Sequence, residues 1–262
     1  MVGDKIEFND GAAYERFMSP WSRSAGAVFI DWLKLPPGLS WIDVGCGNGA
    51  FTEMIASRCA PTAVRAVDPS EAQIAFARER PATRNVEFSV GDAMALPYAD
   101  ESCDVAVMAL VLFFVPDPKK GVAEMVRVAK PGATIASYTW DVMRGGFPGR
   151  ALWEEMEALG KTVNRPPSAA ASRIEALKSL WIESGVGDVE TREIVVERTF
   201  ADFDDYWVST VVNSPTAPSK QLSDGERVEL QRRLQARLPS DANGRITFNS
   251  CATAIKGRRR NG

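Results

Sequence analysis

Histidine is absent from this chain of 262 residues. The absence excludes a Ser-His-Asp or Cys-His nucleophile system, a histidine-ligated metal ion and a histidine general base. Any acid-base work must therefore be done by Asp, Glu, Tyr, Lys or Cys, unless the reaction needs little of it.

Cysteine is scarce as well. Cys46, Cys59, Cys103 and Cys251 lie far apart and form no C-x-x-C pair, which indicates neither a disulfide framework nor a zinc site. We therefore expect no bound metal, and thiols that stay reduced in the cytoplasm. No apolar run approaches the roughly 20 residues of a membrane span, and no signal-peptide pattern is found. We expect a soluble protein without stable membrane insertion.

A strong charge of either sign is also missing. The net charge is −3, so no basic field indicates nucleic acid as a partner. Apolar residues make up 45% of the chain and charged residues 25%, as in globular proteins with one main domain. The basic run Arg258–Arg260 is interpreted as a solvated tail. The sequence leaves open whether the chain is a monomer or a homodimer.

Short apolar runs alternate with helical patterns between residues 40 and 141, at the spacing of βαβ units. These runs are almost entirely apolar, as expected when helices cover both faces of a parallel sheet. The pattern predicts a doubly wound α/β fold with a mostly parallel sheet. The predicted strands are Trp41–Val44, Val64–Val67, Val86–Val90, Val105–Leu112 and Thr134–Trp140.

Further segments flank this pattern. Residues 1–38 are expected to form a helical leader, and residues 39–262 the main domain. Helical insertions are predicted at about 142–170 and 201–245, where Gly, Pro and aromatic residues interrupt the alternation. The remaining predicted elements are a helix at Ala25–Leu33, strands at Glu190–Phe200 and Ile246–Ile255, and helices at Ser172–Ser184 and Asp224–Leu238.

A glycine-rich turn follows the first predicted strand, in WIDVGCGNGA at residues 41–50. Gly45, Gly47 and Gly49 allow a tight turn and the close approach of a ligand to the backbone. The following helix offers free N–H groups at its start. Gly45, Gly47 and Ala50 also match G-x-G-x-x-A, so a dinucleotide is an open alternative at this point.

Three carboxylates end three consecutive predicted strands. Asp43 precedes the glycine turn, where a fixed negative charge is unfavourable beside a diphosphate but suits a cationic ligand. Asp68 follows the second strand and can accept the hydroxyl protons of a ribose. Asp92 follows the third strand and can accept a hydrogen bond from an adenine amine. For each acid the alternative is a helix cap or turn residue.

Four segments together resemble the Rossmann-like methyltransferases that use S-adenosylmethionine, and most of all the small-molecule group that includes the ubiquinone and menaquinone biosynthesis enzymes. They are VGCGNG at 44–49, VRAVDPS at 64–70, VGDAMALPYADESCDVAV at 90–107 and VAEMVRVAKPGATI at 122–135. Weaker similarity is found in YERFMSPWSR at 14–23 and ATAIKGR at 252–258. The resemblance implies a seven-stranded sheet whose last strand is antiparallel.

The resemblance also implies the cofactor and its contacts. S-adenosyl-L-methionine is expected as methyl donor, with S-adenosyl-L-homocysteine as product. Asp43 is expected near the amino group of the cofactor, Asp68 at its ribose, and Asp92 with Ala93 at its adenine. The full expected set is Asp43, Gly45, Cys46, Gly47, Gly49, Asp68, Pro69, Ser70, Asp92, Ala93, Met108 and Ala109.

Candidate residues for the acceptor side come from the end of the fifth strand and from the flanking segments. Tyr138 and Asp141, at the end of the fifth strand, are the candidate catalytic residues. The candidate substrate contacts are Tyr14, Trp21, Arg23, Phe113, Trp140 and Trp153, with core packing as the alternative for the aromatic ones. We expect a small, partly apolar or aromatic acceptor. A nicotinamide-dependent oxidoreductase and a cofactor-binding module without turnover are the alternatives.

Overall fold

Seven strands form one sheet in the computed structural model, which describes residues 15–214 and 222–260. The expected substrate residue Tyr14 lies outside the described residues. The strands are β1 (Ser40–Val44), β2 (Ala63–Asp68), β3 (Val86–Val90), β4 (Cys103–Ala109), β5 (Ala129–Trp140), β6 (Val186–Phe200) and β7 (Ile246–Arg259). Their order across the sheet is β3-β2-β1-β4-β5-β7-β6.

Helices connect the strands and cover both faces. They are α1 (Ser19–Leu33), α2 (Ala50–Arg58), α3 (Glu71–Arg78), α4 (Pro118–Val128), α5 (Arg150–Ala158), α6 (Ile174–Glu183), α7 (Phe203–Tyr206) and α8 (Asp224–Arg237), with a π-helix at Trp207–Val212. Several begin with a polar cap: the Asp117 side chain accepts a hydrogen bond from the Lys120 amide before α4, and Ser223 and Glu226 form a reciprocal capping box before α8.

The pairing directions place the carboxyl ends of six strands, β1 to β6, at one edge. β1 to β5 run parallel, whereas β7 pairs antiparallel with both β5 and β6. The predicted doubly wound sheet with an antiparallel last strand is therefore confirmed. The order of the strands reverses at β1, between β2 and β4, and such a switch point is where ligands bind in open α/β sheets.

Alternate residues of β5 enter two different cores. On one face, the Phe29 ring of α1 lies 4.7 Å from that of Tyr138, and the Trp21 ring lies 6.5 Å from that of Trp140. On the other face, the Trp181 indole of α6 donates to the Ile135 carbonyl at 3.2 Å. The leader helix α1 is therefore an integral layer of the fold.

Several predicted boundaries were wrong; β5 and β6, for example, begin earlier than expected, at Ala129 and Val186. β4 ends at Ala109, and residues Leu112–Phe114 form a short 3₁₀ turn instead of continuing the strand. α1 starts at Ser19, since a proline in its first turn needs no intrahelical N–H partner. The supposed tail at Arg258 belongs to β7, where it pairs with Thr134 of β5 and Gly187 of β6.

Candidate cofactor site

The glycine turn leaves β1 and folds over the end of β2. The amides of Gly45 and Cys46 both donate to the Val67 carbonyl, at 2.7 and 3.0 Å. Gly45, Gly47 and Gly49 have φ values of +75°, +52° and +79°, a region that side chains with a Cβ rarely adopt. The three glycines are thus required by the backbone path of the turn.

Only the middle glycine of the turn faces open space. A Cβ on Gly45 would lie 2.5 Å from the Val111 side chain, and one on Gly49 would lie 2.8 Å from the Ala77 Cβ. A Cβ on Gly47 would meet nothing within 4 Å. A ligand can therefore reach the backbone of the turn at Gly47.

Asp43 is a buried carboxylate with a hydrogen bond on only one of its two oxygens among the described residues. It is fully buried, and its Oδ2 accepts from the Thr52 hydroxyl at 2.6 Å. Its Oδ1 has no hydrogen-bond partner among the described residues. Burial, and to a smaller extent the charge of Asp68, raise its pKa from 3.8 to about 7 against the lowering effect of Thr52. Such an atom is unfavourable unless a donor or cation reaches it.

Asp68 ends β2 and faces the turn directly. Its Oδ2 accepts from the Gly47 amide at 2.8 Å, and its Oδ1 accepts from the Ser70 amide at 2.9 Å. Burial raises the pKa of this carboxyl, although the two amide bonds oppose the shift. Each carboxylate oxygen can accept a second hydrogen bond. Asp68 can therefore hold the turn in place and still accept hydroxyl donors.

The residues after β2 and β3 extend the same edge. Pro69 is exposed, and Ser70 caps α3 by accepting from the Gln73 amide. The Gly91 amide donates to the Asp68 carbonyl at 3.1 Å, which brings Asp92 and the half-buried Ala93 beside this edge. Asp92 is exposed, and its Oδ1 accepts from the Met94 amide at 2.8 Å in a local turn. The structure thus brings all three predicted acids to one edge.

The end of β4 differs from the expectation at Met108. The Met108 side chain is fully buried in the core beneath α4, so it does not point to the edge, whereas Ala109 is half-buried. Leu110 follows with φ of +62°, and its amide donates to the Tyr138 carbonyl at 2.8 Å. A leucine in this conformation is strained, and such strain is concentrated at functional sites. The sequence indicated the stretch Met108–Phe114 by resemblance, but not this backbone conformation of Leu110.

The two candidate catalytic residues are both engaged in structural contacts. Tyr138 is fully buried, and its hydroxyl donates to the Ser22 carbonyl at 3.4 Å. Asp141 is buried as well and caps a 3₁₀ turn, its Oδ1 accepting from the Arg144 amide at 3.1 Å. The structure therefore favours a packing role for Tyr138 and a capping role for Asp141 over the expected catalytic roles.

Three of the expected substrate residues lie inside the fold. Trp21, Trp140 and Phe113 are buried, and the first two pack edge to face. Trp153 is half-buried and stacks on Phe147 with ring centroids 4.1 Å apart. Among the described residues of this group, Trp153 is the aromatic one available to a ligand.

Cys46 lies inside the turn without the properties of a nucleophile. Its thiol is buried, and burial together with the charges of Asp43 and Asp68 raises its pKa well above the usual range. A protonated thiol is a poor nucleophile. The residue is therefore best explained as a small side chain that fits the turn.

A buried arginine joins the leader to the glycine turn. The Arg80 Nε donates to the Asn48 carbonyl at 2.6 Å, and its Nη1 donates to Glu53 at 2.9 Å. Its Nη2 donates to Glu15, which also accepts from the Asn48 amide group at 2.8 Å. The candidate substrate residue Arg23 binds Glu15 at 2.6 Å and is thus part of this network. The sequence did not indicate the network.

No group of His, Cys, Asp or Glu within residues 15–214 and 222–260 is arranged to hold a metal ion. No helix in that part of the chain is long and apolar enough to cross a membrane.

The comparisons with known proteins point to one family. The model of a family described as a methyltransferase domain matches residues 42–137. A demethylmenaquinone methyltransferase of Renibacterium salmoninarum is 33% identical over 155 residues, which cover 58% of this chain and 63% of the relative. The chain spans between 43% and 65% of the length of the first curated relatives that it matches.

Solved structures support the same fold. The YcgJ protein of Bacillus subtilis matches with a TM-score of 0.63 at 16% identity, covering 91% of this chain and 99% of the other. Phosphoethanolamine N-methyltransferase 2 of Haemonchus contortus, solved with S-adenosyl-L-methionine, matches with a TM-score of 0.59 at 17% identity, covering 96% and 57%. Residues 42–137 therefore match a methyltransferase domain, and the described sheet has the same fold as these solved structures.

Proposed function

We propose that this chain binds S-adenosyl-L-methionine at the glycine turn and transfers its methyl group to a small, partly apolar or aromatic acceptor. The observation that carries the proposal is the buried Oδ1 of Asp43, which has no partner among the described residues. The ammonium group of the cofactor would supply the missing donor and the positive charge, directly or through a water molecule. The residues present fit this cofactor.

The remaining contacts follow from the geometry of the edge. The open side of Gly47 would admit the methionine part of the cofactor. The second acceptor position of each Asp68 oxygen would hold the ribose hydroxyls, and Asp92 with Ala93 would hold the adenine. Leu110 and Val111, after β4, would border the side of the site toward β5.

The cofactor supplies a methyl group already made electrophilic by the sulfonium charge. The protein then has mainly to align the acceptor with that methyl, and such alignment alone lowers the barrier by several kcal/mol, roughly 7 to 11 in the best cases. The absence of histidine is compatible with such a reaction. The structural roles of Tyr138 and Asp141 support a mechanism in which neither acts as a general base.

A nicotinamide-dependent oxidoreductase is the alternative on a similar sheet. An ionised Asp43 would repel the negatively charged diphosphate of a nicotinamide dinucleotide. The same carboxylate would attract the ammonium group of S-adenosylmethionine. Isothermal calorimetry should therefore detect binding of S-adenosylhomocysteine and none of NADH. Tight binding of NADH together with no binding of S-adenosylhomocysteine would contradict the proposal.

Two observations support a small, partly apolar or aromatic acceptor. The named relatives act on a demethylmenaquinone and a phosphoethanolamine, which are both small molecules. The stacked rings of Phe147 and Trp153 offer an apolar surface near the end of β5. We propose that the chain acts in the cytoplasm as a monomer or homodimer, with neither nucleic acid nor membrane as its partner. Transfer of radiolabelled methyl groups to a panel of small acceptors tests turnover, and binding without any transfer would indicate a module that lacks it.

Two alanine substitutions in the turn should have opposite consequences. Gly47→Ala should lower the free energy of unfolding by about 1 kcal/mol, the strain of a left-handed alanine, but weaken binding of S-adenosylhomocysteine by at least about tenfold, because its methyl enters the cofactor space. Gly49→Ala should cost about 3 kcal/mol, because strain adds to the clash with Ala77. Chemical denaturation and calorimetry measure both effects. If the two variants lost affinity in proportion to their loss of stability, the placement of Gly47 beside the cofactor would be contradicted.

A further inference from the structure

A cavity of about 300 Å³ lies beyond the end of β5. Its lining comes from the segment that directly follows the strand, including Arg144, from the start of α5, including Trp153, and from Arg165 beyond α5. The parallel strands carry their carboxyl ends to one edge of the sheet, so the cavity lies at the same edge as the glycine turn. Its volume is in the range of small-molecule sites.

Three glycines fit the loop of this cavity closely against its neighbours. A Cβ on Gly145 would lie 2.4 Å from the Arg150 guanidinium, and one on Gly149 would lie 2.5 Å from the Phe147 ring. A Cβ on Gly146 would lie 2.4 Å from the Cys251 carbonyl of β7, to which the loop is also tied because Cys251 donates to the Gly146 carbonyl at 3.0 Å. The positions of Phe147 and Arg150 are thus set by close packing.

The chemistry of the cavity wall combines aromatic rings with guanidinium groups. Phe147 and Trp153 stack at 4.1 Å, and Arg165 lies over the Trp153 ring at 5.6 Å from its centroid. The lining contains the cations Arg144, Arg150 and Arg165 and a single carboxylate, Glu154. A planar ring can stack on the aromatic pair while an anionic substituent binds guanidinium.

The three arginines keep donors free for such a substituent. Each has an acid partner: Arg144 binds Glu193 through Nη1 at 2.7 Å, Arg150 binds Glu154 through Nε at 2.6 Å, and Arg165 binds Glu157 through Nη2 at 2.7 Å. A guanidinium has five N–H donors, so a bond through one nitrogen leaves others for a ligand. All three side chains are also about half exposed or more.

We propose that this cavity is the acceptor pocket and that it takes a small planar aromatic molecule carrying a carboxylate or a similar anionic group. The stacked Phe147 and Trp153 bind the ring, and Arg165 with Arg144 or Arg150 binds the anion. That the molecule bound in this cavity is the methyl acceptor rests on the methyl transfer proposed above. The binding itself can be measured without turnover.

The test compares an anion with its neutral counterpart in the presence of saturating S-adenosylhomocysteine. Naphthalene-2-carboxylate should bind about tenfold more tightly than 2-naphthalenemethanol in isothermal calorimetry, because a charge-assisted hydrogen bond to guanidinium is lost in the alcohol. Arg165→Met should remove most of that preference, and Arg165→Lys should restore part of it. Trp153→Leu should weaken binding of both ligands.

Arg232→Met is the matched control. Arg232 is an exposed arginine of α8 that binds Glu229 and does not line the cavity, so this variant should bind both ligands like the parent. Equal affinity for the two ligands, or an anion preference that Arg165→Met leaves intact, would overturn the inference. If the naphthalene ligands fail while S-adenosylhomocysteine binds, the pocket is wrong and the proposed function stands. Failure of S-adenosylhomocysteine instead counts against the proposed function.

Discussion

Replacing Arg80 with leucine is expected to lower the free energy of unfolding by about 3 kcal/mol. The Arg80 side chain is nine-tenths buried and binds two carboxylates, those of Glu15 and Glu53. Removal of one partner from such a network leaves charges without compensation, which costs far more than the loss of a surface ion pair. Chemical denaturation measures the difference.

The electrostatics of Glu15 show what the variant loses. Burial alone would raise the pKa of Glu15, but the charge and hydrogen bond of Arg80, the hydroxyl of Ser19 and the charge of Arg23 lower it below its ordinary 4.5. A lowered pKa in the folded state stabilises the protein above the unfolded value, and this contribution disappears as the pH falls through the folded value. In Arg80→Leu, burial of Glu15 is no longer offset by Arg80, so this stabilisation at neutral pH should be largely lost.

The same substitution should reach the cofactor site. Arg80 donates to the carbonyl of Asn48, inside the glycine turn, and it binds Glu15, four residues before α1 begins at Ser19. We expect weaker binding of S-adenosylhomocysteine and faster hydrogen exchange at the first turn of α1, because both ends of the network are released.

Arg58→Leu is the control for this experiment. Arg58 also binds one carboxylate, that of Asp31, but both side chains are exposed, so the expected cost is at most about 1 kcal/mol. If Arg80→Leu destabilises the protein no more than Arg58→Leu does, the network is a surface feature without structural weight. If its affinity for S-adenosylhomocysteine is unchanged, the link to the turn is refuted.

The strands could be predicted because their residues are almost continuously apolar. In β4, Val105 to Met108 are all fully buried, which is the pattern of a strand covered on both faces. The three acids at the strand ends could also be predicted as a group, because parallel strands bring their carboxyl ends to one edge of the sheet. The sequence did not distinguish a turn role of Asp92 from a ligand contact, because an exposed Asx turn and a ligand contact have the same local sequence.

The roles at the end of β5 could not be predicted in this way. Tyr138 and Trp140 are two residues apart, so they share one face of the strand, but the sequence does not say that α1 covers that face. The contact of Tyr138 with Ser22 joins residues 116 positions apart. Arg80 and Glu15 are 65 positions apart. Long-range pairs of this kind leave no periodic signal in a single sequence.

Replacing Asp43 with asparagine should abolish a proton release that accompanies cofactor binding. With a pKa of about 7, Asp43 is largely protonated at pH 6 in the ligand-free protein. The ammonium group of S-adenosylhomocysteine would favour the ionised form, so binding at pH 6 should release close to one proton. Calorimetry in two buffers of different ionisation enthalpy counts the protons. Asp43→Asn should release about one proton fewer on binding. It should also bind S-adenosylhomocysteine about tenfold or more weakly, because a charge-assisted hydrogen bond is lost.

The pH dependence of the stability of the ligand-free protein provides the control. The pKa of Asp43 is raised in the folded state, so its contribution to stability is fully present below the ordinary 3.8 and is lost as the pH rises toward about 7. Asp43→Asn removes this dependence. The free energy of unfolding of the variant, minus that of the parent, should therefore be larger at pH 7.5 than at pH 4. A variant that is more stable at neutral pH yet binds more weakly would show that Asp43 is retained for its ligand. If Asp43→Asn leaves proton release and affinity unchanged, the cationic group of the ligand does not lie at Asp43.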